Sequence, residues 1–192
     1  MQEMILGRTR LERIGTGALA AATVIAGTST VLGDAPGRFL HGVGGLTWFA
    51  SAAMLVVEGR RRGAPATQWA AVGALTAAVA FVIRPSDLTL ASVGFGAAGL
   101  LSGLIARNDV MLWAKMVPAL YLPMHIGTAI LKAAGRSLLG MEASIRTEPP
   151  PTAAIVPAVM LVAAVAGGWV AGRIKASRLG ASKRLGSLAG ER

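Results

Sequence analysis

Apolar runs of similar length, parted by short polar segments, set the rhythm of the chain. They fall at about 14–33, 39–57, 66–83, 88–106, 110–131 and 153–172. A helix rises 1.5 Å per residue, so roughly 20 residues cross a hydrocarbon core about 30 Å thick. None of the runs alternates with period two as a membrane strand does. Lipid offers backbone groups no hydrogen-bond partner, so each run must satisfy itself as a helix. The expectation is an all-α, polytopic transmembrane helix bundle of about six spans. It forms one domain over 1–172, and a basic tail follows over 173–192.

The separators carry helix-ending signals. Gly33-Asp34-Ala35-Pro36-Gly37 predicts a tight turn after the first span. Arg84-Pro85-Ser86-Asp87 stops the third and offers Ser86 or Asp87 as N-cap of the fourth. Arg107-Asn108-Asp109 precedes the fifth, and Pro149-Pro150-Pro151 makes a stiff entry to the sixth. Residues 137–145 are expected to form a short helix lying on the outer surface. Arg8, Arg10 and Arg13 ahead of the first run imitate a secretory leader, but that run is long for one, so it is read as a retained helix. It is also the least apolar run, which makes five spans the alternative.

Composition agrees with lipid as the solvent. The chain is 54% hydrophobic with a mean hydropathy of +0.60. Its charged fraction is 15%, against roughly 25% in soluble domains. The net charge of +10 would suit nucleic acid, but the basic residues lie between and beyond the apolar runs, so no nucleic-acid partner is expected. With the N-terminus inside, 13 lysines and arginines fall in inner segments and 5 in outer ones. That bias predicts both termini in the cytoplasm. The alanine, glycine and arginine richness points to a bacterial cytoplasmic membrane. The tail is expected to contact anionic lipid. The absence of cysteine excludes disulfides and thiolate metal centres.

Four features carry candidate chemistry. Glycines at four-residue spacing (Gly99 and Gly103, then Gly168 and Gly172), the first pair extended by Gly94, predict close helix packing, within the chain or between copies of it. The fifth span contains Pro118 and Pro123, which remove two backbone donors, so Pro118, Tyr121 and Pro123 are candidates for lining a cavity. Lys115 near its inner end is expected to snorkel to the surface. Glu58 is expected to be a solvated partner in the basic turn with Arg60, Arg61 and Arg62.

The histidines are the sharpest feature. His41 and His125 sit at similar depth in the outer half, where two imidazoles on facing helices suit the axial positions of a haem b. Gly42, Gly44 and Gly45 would leave room for a flat macrocycle. The stretch Leu40-His41-Gly42 to Thr47-Trp48 resembles the Leu-His…Trp helix of copper-resistance-D-type and protoporphyrinogen-oxidase-like membrane proteins. That resemblance covers one helix, and no residue role or activity is taken from it.

Enzyme signatures such as GxSxG, HExxH, a P-loop or a dinucleotide fingerprint are missing. The leading expectation is a non-enzymatic membrane subunit or scaffold, partnered by lipid and by further copies or a larger complex. A small transporter or channel built on the fifth span is the second reading, and a haem-binding redox protein the third.

Overall fold

A computed structural model describes residues 9–32, 34–82, 87–138 and 154–189, with backbone alone for residue 34 and for residues 132–138 and 179–189. Among them are six helices and no strand: α1 (Arg10–Val31), α2 (Asp34–Arg61), α3 (Ala66–Val82), α4 (Leu88–Ile105), α5 (Val110–Leu138) and α6 (Val156–Ala189). The chain is a transmembrane-type helical bundle. Four helices, α1, α2, α4 and α6, are long and apolar enough to cross a membrane. The 17-residue α3 is apolar but one turn shorter than a typical span.

α5 differs in kind. Every residue from Met111 to Ala119 is buried, and α5 packs against each of the other helices. A helix wrapped by protein need not be apolar all round, and this one holds Lys115, Pro118 and Pro123. The outer helices show the opposite pattern. Phe39 is 72% and Leu46 74% exposed, whereas Lys115 is fully buried. Apolar side chains outside and charge inside is the arrangement that lipid rewards.

Helix ends follow local chemistry. Thr9 caps α1, its hydroxyl accepting from the Glu12 N–H at 3.1 Å. Asp87 caps α4 by accepting from Leu90 N–H at 2.8 Å, which decides between the two expected caps. α2 begins earlier than its apolar run. Pro36 is tolerated there because first-turn amides lack partners anyway. At Gly37 a Cβ would stand 2.7 Å from the Ser29 carbonyl, so glycine permits the tight α1–α2 hairpin. α6 runs on into the basic tail, through Gly180 and Gly186 to Ala189. Residues 137 and 138 of the expected surface helix continue α5, and the rest of that segment and the triple proline lie outside the described residues.

The glycines act inside the chain. A Cβ on Gly99 would collide with the Ala164 carbonyl, and one on Gly167 with the Gly96 carbonyl, so α4 and α6 touch backbone to backbone. Gly103 packs on Ala171 and Val110, and Gly168 on Ala114. Gly94 is half-buried on α4, and a Cβ on Gly172 would meet nothing within 4 Å.

Candidate functional site

α5 joins two sites at opposite ends of the bundle. The first is a cavity of about 150 Å³ bounded by α1, α2, α5 and α6. His41, Gly45 and Trp48 line it from α2, Tyr121 and His125 from α5, and Met160 from α6. The walls are mostly apolar, with the imidazoles as polar points. Tyr121 and His125 lie one turn apart and stack with ring centroids 5.3 Å apart, and the Tyr121 hydroxyl is 3.5 Å from His125 Nδ1. His41 Nδ1 stands 3.4 Å from the Ser29 hydroxyl. Both contacts are long for hydrogen bonds. Gly45 faces open space, since a Cβ there would meet nothing within 4 Å.

The prolines shape the wall from behind. Pro123 has no N–H, so the Ala119 carbonyl four residues earlier loses its helical donor. Trp48 replaces it. Its indole N–H donates to the carbonyls of Ala119 at 3.1 Å and Pro118 at 3.0 Å. The broken ladder is therefore satisfied by a neighbouring helix, as an apolar environment requires. Of the three residues expected at a cavity, Tyr121 lines it. Pro118 is fully buried in the core, and Pro123 is half-buried behind the lining.

The two histidines do share one cavity. About 150 Å³ is the room that benzene takes in an engineered protein cavity, and drug-sized pockets start near 300 Å³.

The second site is an ion cluster that sequence reasoning missed. Lys115 does not snorkel. Its ammonium donates to Glu12 at 2.7 Å and to the Thr16 hydroxyl at 3.2 Å. Glu58 is not solvated either: it is 3% exposed and bound to Arg62 at 2.7 Å. Arg62 also holds Glu12 at 2.7 Å and Asp109 at 2.8 Å. One guanidinium thus ties α1, the end of α2 and the α4–α5 turn together. Burial works against its charge, but its hydrogen bonds to Glu58, Glu12 and Asp109 outweigh that and raise its pKa above the usual guanidinium value. The turns beneath are tight. Asp109 (φ 53°) and Gly63 (φ 65°) take the left-handed conformation, which Asp and Gly tolerate best.

A sequence signal for part of this was present. Thr9-Arg10-Leu11-Glu12 is a capping-box pattern that begins α1 ahead of its apolar run and draws Glu12 into the bundle. Nothing local marks the pairing of Glu12 with Lys115, which lies more than a hundred residues downstream. α6 reaches the same end, where Lys175 donates to the Ala106 carbonyl and Arg173 lies 5.0 Å over the Trp169 ring. The start of α1 and the basic part of α6 therefore share one end of the bundle.

No protein-family model, curated protein or solved structure matches this chain.

Proposed function

We propose that the chain is a small-molecule carrier of a bacterial cytoplasmic membrane, with both termini inside. The observation that carries this reading is the double role of α5. The same proline-containing helix walls a cavity at one end and anchors a buried ion cluster at the other. Carriers typically place their site beside a helix whose backbone ladder is interrupted, with a closure that can open on the far side. Arg62 with Glu12, Glu58 and Asp109 supplies that closure. The excess of basic residues at the cluster end supports its placement in the cytoplasm.

The cavity fits a compact, mostly apolar molecule about the size of benzene, with one polar group for an imidazole or the Tyr121 hydroxyl. The subunit or scaffold reading drew on small-residue faces, and Gly99, Gly103 and Gly168 face neighbours within the chain. Lipid remains the partner of the exposed apolar belt, and anionic lipid that of the basic end of α6.

Phenol is a probe of the right size. Titrated into the detergent-purified protein, it is expected to shift the imidazole NMR signals of both histidines saturably. Gly45→Leu, which fills the cavity from an open position, is expected to abolish the shift. An identical response in both proteins, or none in either, would contradict the reading.

A further inference from the structure

Between α1, α5 and α6 runs an apolar groove of about 510 Å³ that the carrier reading does not use. Thr16 and Ala20 of α1 and Val162, Ala166 and Trp169 of α6 form its sides, and the fully buried Lys115 of α5 lies at its floor. Ala20, Val162, Ala166 and Trp169 are exposed, so the groove opens sideways toward lipid. Its two polar residues are already engaged. The Lys115 ammonium is held by Glu12 and the Thr16 hydroxyl, and that hydroxyl donates in turn to the Glu12 carbonyl. What is left for an occupant is hydrocarbon surface, in a volume within the roughly 300–1,000 Å³ of ligand pockets.

The inner end of the groove carries charge. Arg13 stands one turn before Thr16 on the same side of α1, and Arg173 one turn after Trp169 on the same side of α6. One turn rises about 5.4 Å, so both lie just beyond the apolar walls. The Arg173 guanidinium sits 5.0 Å over the Trp169 ring, which holds a cation at the mouth of the groove. Both arginines are exposed, and among the described residues no carboxylate pairs with either. Glu12, Glu58 and Asp109 are bound by Arg62 and Lys115 instead. An apolar slot ending in two cations is the complement of a molecule with a hydrocarbon chain and an anionic head. Basic pockets between helices at the cytoplasmic surface hold acidic headgroups in this way.

We propose that this groove is a specific site for an anionic phospholipid, with one acyl chain lying between α1 and α6 and the headgroup phosphate between Arg13 and Arg173. A zwitterionic lipid would bring its own cation against the two arginines. The site narrows the anionic-lipid contact proposed for the basic end of α6 to one groove, and it does not depend on transport through the outer cavity.

Trp169 reports the occupant directly. It is 44% exposed, whereas Trp48 and Trp113 are buried. The full chain is reconstituted in phosphatidylcholine vesicles, and phosphatidylglycerol with brominated acyl chains is added in rising fraction, with brominated phosphatidylcholine as the comparison. Bromine quenches an indole that it touches. The expected result is quenching that saturates at a low fraction of phosphatidylglycerol, about tenfold tighter than with phosphatidylcholine. Trp169→Phe is expected to abolish it. Ala166→Phe fills the groove without altering charge, and it is expected to weaken the preference at least about fivefold, as are Arg13→Gln and Arg173→Gln. Arg178→Gln, on the opposite side of α6 from Trp169, is expected to leave it unchanged. All of these positions are exposed, so the packed interior is untouched. No preference for phosphatidylglycerol in the native chain would overturn the site and the broader contact with the basic end of α6 together. A preference that survives Ala166→Phe or Trp169→Phe, or that Arg178→Gln weakens as much as Arg173→Gln, would leave that broader contact standing and overturn the groove site.

Discussion

Lys115 and Glu12 illustrate how much one buried pair can bear. Both are closed off from solvent, and each is also tied to a second group, Lys115 to Thr16 and Glu12 to Arg62. Removing one charge from such a pair typically costs 3–5 kcal/mol, because the other is left uncompensated. Glu12 keeps Arg62, so Lys115→Met is expected near the lower end, about 3 kcal/mol. Lys115→Met with Glu12→Gln is expected to recover more than half of the loss. Equilibrium unfolding in mixed micelles measures both, and a double variant no better than the single would show that the pair is not coupled. Hydropathy along the chain could not expose this pair. A window average sees Lys115 as a blemish in a span, whereas its environment is made by residues far away in sequence.

At the scale of elements, two junctions decide the shape. Trp48 completes the broken ladder of α5, so Trp48→Phe leaves the buried Ala119 carbonyl without a donor. That is expected to cost about 1–3 kcal/mol. The cost should shrink in a Pro123→Ala background, where the restored backbone N–H can reach the Ala119 carbonyl. The same unfolding assay checks this, and equal costs in both backgrounds would remove Trp48 from that role. The α4–α6 junction depends on Gly99, where any Cβ meets the Ala164 backbone. Gly99→Ala is expected to destabilise by about 1–3 kcal/mol. Gly172→Ala, in open space, should be neutral or stabilise by up to about 1 kcal/mol.

Much of this level was legible in the sequence. The helices announce themselves because their outward faces must match lipid, and proline, glycine and aspartate mark their ends. The shared depth of His41 and His125 could be counted from those ends. Which faces of α2 and α5 meet could not, since Trp48 finds α5 through a long-range contact. Nor could the partner of the Gly99 stripe, because alanine-rich helices repeat small residues at that spacing on many faces.

For the whole molecule, the central claim is that an outer cavity and an inner ion cluster open in alternation around α5. The lack of cysteine makes this directly measurable, because one introduced thiol is the only thiol present. Gly45→Cys places it on the cavity wall, where there is space for it. Labelling with a membrane-impermeant maleimide is then compared in right-side-out and inverted vesicles. With Arg62 intact the thiol is expected to react from the outer side. With Arg62→Gln added, the cluster loses its centre, and reaction is expected from the inner side as well. The same sidedness in both backgrounds, or no reaction from either side, would contradict the claim and describe a bundle that does not open across the membrane.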